Sequence, residues 1–108
     1  MAKFEKTLNG SFDEILNRVE QGILQGSVSA SFEDGSDFYG ESTRCSVRVF
    51  ERYSMFGGNR VSLNVTLYQN ETGELFLSAI SSGGSQATFI KINTLGEDNF
   101  LNKLKELV

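Results

Sequence analysis

Val61, Leu63, Val65 and Leu67 alternate with polar residues, and after Asn70-Glu71-Thr72-Gly73 the alternation resumes with Leu77 and Ala79. Period-two patterning on both sides of a short polar turn specifies an antiparallel hairpin, because successive strand side chains point to opposite faces. Gly73 supplies the left-handed residue that ends a type I turn, which leaves a three-residue loop and pairs Asn70 with Glu74. The register then follows without further assumption. Leu67 lies opposite Leu77 and Val65 opposite Ala79 on the core face, with Tyr68 opposite Phe76 and Asn64 opposite Ile80 behind. This strand continues to about Ser82.

The rest of the chain supplies what such a hairpin needs in order to be covered. Residues 3–8 form a short first strand. Ser11-Phe12-Asp13-Glu14 is a capping box, and Phe12, Ile15, Leu16, Val19 and Ile23 recur at helical spacing until Gly26. Val28, Ala30 and Phe32 alternate with Ser27, Ser29 and Ser31 in a strand expected to end at Asp34-Gly35, followed by a polar loop to Glu41. A long strand covers 43–55. Its apolar set, Cys45, Val47, Val49, Tyr53 and Met55, is expected on the core face, with Arg44, Ser46, Arg48, Phe50 and Arg52 behind. Both long strands then carry core residues at odd numbers, so opposed residues must sum to an even number, and a three- or five-residue loop around Gly57-Gly58-Asn59 satisfies that. Residues 87–92 read as a last, well-covered strand. Thr94-Leu95-Gly96-Glu97 repeats the capping logic ahead of a closing helix whose apolar stripe is Phe100, Leu101, Leu104 and Val108. The expected architecture is α+β: one domain over 1–108, a single curled antiparallel β-sheet of about five to six strands packed against two helices, in the order β-α-β-β-β-β-β-α.

Composition excludes more chemistry than it suggests. The chain has no histidine, so Ser-His-Asp and Cys-His arrangements are impossible, and one cysteine with scattered carboxylates makes no zinc set. No cofactor is implied. The net charge of −4 argues against nucleic acid, although Arg44, Arg48, Arg52 and Arg60 gather in one stretch. No apolar run reaches the roughly 18 to 20 residues that cross a bilayer, and the first residues lack the apolar stretch of a secretory signal. The expectation is therefore a cytoplasmic protein without a membrane partner. Cys45, which has no second cysteine to pair with, is expected to be a buried structural thiol.

Other motifs have plain structural readings. Gly83-Gly84-Ser85 precedes a strand, not a helix, and has no Lys-Ser/Thr pair, so it is a turn and not a phosphate cradle. Asp13 with Glu14, and Glu97 with Asp98, sit in first helical turns, where carboxylates cap amides. Asn64-Val65-Thr66 and Asn70-Glu71-Thr72 match a glycosylation acceptor that has meaning only in secreted chains.

The reverse sheet face has no such account. There Phe50, Tyr68, Phe76 and Ile80 would lie beside Arg48 and Arg52, and exposed apolar clusters of this kind mark contacts. Arg48, Phe50, Arg52, Tyr68 and Phe76 are the candidate binding residues; shielding of the rings by arginine stems is the plain alternative. Three functions stay open. A non-enzymatic binding module would hold an apolar small ligand between sheet and closing helix, lined by Val47, Val65, Leu77, Phe100 and Leu104. An interaction module would use the aromatic face to form a homodimer or to meet another protein. An enzyme would use Glu51, on an otherwise apolar face, as general base with Tyr53 as donor; a strand-end glutamate reaching solvent explains that residue more simply.

The layout, with the segments Ser42-Thr43-Arg44-Cys45-Ser46-Val47-Arg48-Val49-Phe50-Glu51-Arg52 and Gly83-Gly84-Ser85-Gln86, resembles a family of short uncharacterised bacterial proteins, mostly from clostridia and their relatives. That family implies no activity. The element order also resembles a reduced helix-grip (START-like) fold, which implies an apolar ligand between sheet and last helix. No site residue is carried over from either resemblance.

Overall fold

The computed structural model describes residues 2–26, 29–54, 59–83 and 104–108. Strand β1 (Ala2–Leu8) is followed by helix α1 (Phe12–Gly26) and by strands β2 (Ser31–Tyr39), β3 (Arg44–Ser54), β4 (Asn59–Gln69) and β5 (Leu75–Gly83). Residues 104–107 are helical. The strands form one open antiparallel sheet in the order β1-β5-β4-β3-β2, so the fold is α+β as expected. The strand expected over 87–92 and the cap at Thr94 lie outside the described residues. No helix among the described residues is long and apolar enough to cross a membrane.

Helix α1 begins as its capping box dictates. Ser11 Oγ accepts the Glu14 amide at 3.4 Å, and the Ser11 carbonyl accepts the Ile15 amide at 3.0 Å. The five apolar residues at helical spacing are the five that α1 buries. They pack on Leu63, Val65, Leu67, Leu75, Leu77 and Ala79, with Leu104 of the closing helical turn sealing the same core. That turn sits against α1 at Gly22, where a Cβ would collide with the Leu107 side chain. Lys6 Nζ donates to the Val108 carbonyl at 2.8 Å.

The hairpin of β4 and β5 has the register its turn implies: Leu67 faces Leu77, Val65 faces Ala79, Tyr68 faces Phe76 and Asn64 faces Ile80. Gly73 is at φ +89°, and Asn70 Oδ1 accepts the amides of Thr72 and Glu74.

Two expectations are corrected. The polar segment after Asp34-Gly35 is strand, not loop, since β2 runs to Tyr39 and pairs with β3 along its length through a bulge between Phe32 and Asp34. It reads as loop because it is an edge strand exposed on both faces, and Glu33, Asp34, Asp37 and the bulge are features that discourage edge-to-edge pairing. β3 departs further from its expected placement. Ser54 pairs with Asn59, four residues intervene, and opposed residues of β3 and β4 sum to an odd number. Every side chain of β3 is therefore on the face opposite to the one expected. Phe50 and Ser46 are buried beneath α1, while Cys45, Val47, Val49, Glu51 and Tyr53 point the other way. Cys45 is accordingly half-buried on the outer face and not a core thiol.

The cause is on α1. Asp13 and Glu20 lie seven residues apart, about 10.5 Å along a helix, and Arg44 and Arg48 lie four apart, about 13 Å along a strand. Arg44 meets Asp13 at 3.0 Å and stacks 4.0 Å from the Phe12 ring; Arg48 meets Glu20 at 3.4 Å. In this phase Phe50 enters the core, while Val47 and Val49 stay half-buried on the outer face.

Candidate functional site

The flip of β3 gives the sheet two unlike faces. The inner face, beneath α1, carries Phe50 and the partnered arginines. The outer face is assembled from three cross-strand rows. The first reads Phe38, Cys45, Tyr68, Phe76, Thr7 from edge to edge; the second Ser36, Val47, Thr66, Ser78, Glu5; the third Asp34, Val49, Asn64, Ile80, Lys3. Phe38 is 63% exposed, Tyr68 40%, Phe76 39% and Ile80 37%. The Tyr68 and Phe76 rings stack with centroids 6.2 Å apart and planes at 28°, as the directly opposed pairing allows. A shallow groove of about 400 Å³ runs beside them, lined by Glu5, Thr7, Thr66 and Ser78 as well as the two rings. Below the third row, Ser62 and Ser82 share a hydrogen bond of 2.9 Å, and Arg60 meets Glu51 at 3.2 Å.

The five candidate binding residues do not form one patch. Tyr68 and Phe76 are together on the outer face; Arg48, Phe50 and Arg52 are on the inner one, where they pair with Val65, Leu63 and Val61. Phe50 is wholly buried and edge-on to Phe32, with centroids 6.0 Å apart. Arg48 is held by Glu20, by Asp37 at 2.9 Å and by the Ser36 and Val47 carbonyls. Burial lowers the pKa of Arg52. Glu51 does not lie on an apolar core face; it is on the outer face, paired with Arg60. Val47, expected beneath the closing helix, is on that outer face too, while Val65, Leu77 and Leu104 are packed at 0–2% exposure in the core. Phe38 and the edge residues Lys3 and Asp34 were not foreseen as part of a surface. Phe38 and Asp34 follow only once β2 is extended past Gly35 to Tyr39, and Lys3 from the pairing of β1 with β5.

The inner-face ion cluster predicts a pH dependence. Hydrogen bonds from Ser46 Oγ at 2.6 Å and from Arg48 hold the Asp37 carboxyl below its ordinary value of 3.8. A depressed folded-state pKa contributes stability that is present above the ordinary value and lost as the pH falls through the folded one. Asp37→Asn should therefore lower the urea midpoint at neutral pH, and the gap from wild type should close as the pH is taken well below 3.8. A gap that stays constant into acid would mean that the carboxylate charge does not hold this corner.

Among the described residues, no three His, Cys, Asp or Glu side chains cluster as a metal set. No curated protein and no solved structure matches the chain. One family model does, and it matches from residue 1 to residue 108: the chain belongs to DUF6054, a family of unknown function.

Proposed function

We propose that the chain is a non-enzymatic interaction module of the cytoplasm whose contact surface is the outer face of its sheet. The supporting observation is the row Phe38, Cys45, Tyr68, Phe76, in which three aromatic rings stand 39–63% exposed on one face of the sheet. Apolar area of this kind is stabilised by contact with another surface. Tyr and Phe anchors of low rotamer entropy are the residue types that dominate interface energetics. A ligand between sheet and closing helix is less favoured, because Val65, Leu77 and Leu104 fill that layer at 0–2% exposure.

The groove beside Tyr68 supports a second reading, a small molecule stacked on the two rings and hydrogen-bonded to Glu5, Thr7, Thr66 or Ser78. Native mass spectrometry separates the two. Under the interaction reading wild type carries a macromolecular partner, and Tyr68→Glu, which puts a charge on the central strand between the exposed rings, loses it while the circular dichroism spectrum is unchanged. A monomer retaining a small added mass would favour the groove. A bare monomer at high micromolar concentration, indifferent to Tyr68→Glu, would sink the interaction reading for self-association.

A further inference from the structure

The partner can be named from the chemistry of the edges. Resting on the outer-face reading above, we infer that the occupant of this face is a second copy of the chain, packed sheet on sheet about a two-fold axis that lies in the interface and runs along β4.

β4 is the central strand, flanked by β5 and β3 and then by β1 and β2. A two-fold axis along it keeps each cross-strand row over the same row of the partner and exchanges the two sides. In the third row, Ile80 then covers the partner's Val49, and Lys3 at one edge meets the partner's Asp34 at the other. In the first row, Phe76 covers the partner's Cys45, Thr7 meets the partner's Phe38, and the two Tyr68 rings meet on the axis. Apolar side chains cover apolar or small ones, and the opposite edge charges meet twice by symmetry. In the second row, Glu5 meets the partner's Ser36, a neutral hydroxyl. Arg60, near the axis, arrives already paired with Glu51.

The alternative two-fold axis, across the strands through the second row, does worse. It would lay Phe38 against the partner's Asp34 and Tyr68 against the partner's Asn64. Lys3 is 61% exposed and its contact with Glu5, at 3.9 Å, is an exposed pair that contributes little, so the ammonium is available to a partner. Aligned packing of two sheets about 10 Å apart leaves room for a lysine to reach across. Five strands about 4.8 Å apart and about seven residues long present roughly 550 Å² in projection, which approaches the about 800 Å² per partner of a standard interface once side-chain relief is included.

The experiment is a charge exchange read by native mass spectrometry and light scattering. Lys3→Asp leaves both edge positions acidic, and Asp34→Lys leaves both basic; each alone should weaken self-association by about tenfold or more. The double variant should return to within about threefold of wild type. Mixed one to one, the two single variants should form the heterodimer in large excess over either homodimer. Both positions are exposed, and circular dichroism checks that each variant folds. A wild-type dimer that Tyr68→Glu dissociates, but whose single charge variants mix statistically, would overturn this register while leaving the outer-face reading intact. A wild-type monomer would overturn the second copy as partner.

Discussion

Phe50→Ala should cost about 3–5 kcal/mol, the range for deleting a buried phenylalanine, and should come close to unfolding the domain, since the whole stability of a chain this size is about 5–15 kcal/mol. Phe50 is 0% exposed and lies opposite Leu63, with Phe32 edge-on to its ring. Removing the ring leaves a cavity at a layer made of strand on one side and helix on the other, where neither can collapse without breaking the sheet. Tyr53→Ala is the control. Tyr53 is on the same strand, three residues on and of opposite phase, and is 49% exposed, so its truncation should cost well under half as much. With a slope of about 1–3 kcal/mol per molar urea, the Phe50 variant should lose about 2 M of midpoint. If the order were reversed, with Tyr53 the costlier position, the phase of β3 would be wrong.

The second large effect is expected at Gly83, the last residue of β5. Its φ is +125°, and a Cβ built there would stand 2.6 Å from the Arg60 carbonyl oxygen and 3.1 Å from the Val61 Cα. Both obstacles are backbone of the neighbouring strand, and a strand held on both sides cannot yield as a side-chain tip can. Gly83→Ala should therefore cost about 2–3 kcal/mol, combining a conformation closed to other residues with a steric overlap. Gly73→Ala separates the two causes. Gly73 also has positive φ, +89°, but no atom within 4 Å of a built Cβ, so only the conformational part, about 1–2 kcal/mol, should appear there. Equal losses at the two glycines would show that the approach of β4 to Gly83 is not tight.

The hairpin and α1 were legible in the sequence because each is specified locally. The Asn70–Gly73 turn determines pairing by its own length, and the capping box at Ser11 opens a stripe whose five apolar members all reach the core. β3 was not legible by the same means. Its alternation favours burying Cys45, Val47 and Val49, and the opposing preference is spread over 36 residues of sequence, from Asp13 and Glu20 to Arg44 and Arg48. An alternation rule weighs hydrophobicity within a strand; it has no way to count an acidic stripe on a helix that arrives from elsewhere. β2 failed for a related reason. Its residues Glu33 to Tyr39 are polar or exposed because a sheet edge needs them so, and composition alone cannot distinguish an edge from a loop. The candidate surface inherits both errors: Tyr68 and Phe76 came from the legible hairpin, whereas Phe50, Arg48 and Arg52 came from the strand whose phase was inverted.

The position of β1 imposes an order of events on the newly made chain. Among the described residues β1 has one neighbour in the sheet, β5, and its residue Ala2 pairs with Ser81. β1 therefore leaves the ribosome before the other four strands and must wait until nearly the whole of this sheet has been synthesised before it finds its hydrogen-bonding partner. Pairings this remote in sequence slow folding, because the intervening chain must be ordered before the contact is made. Until β5 emerges, β1 lacks the strand it pairs with and the apolar stripe of α1 is covered only in part, by β3 and β4, which is an interval in which a chaperone would have much to bind.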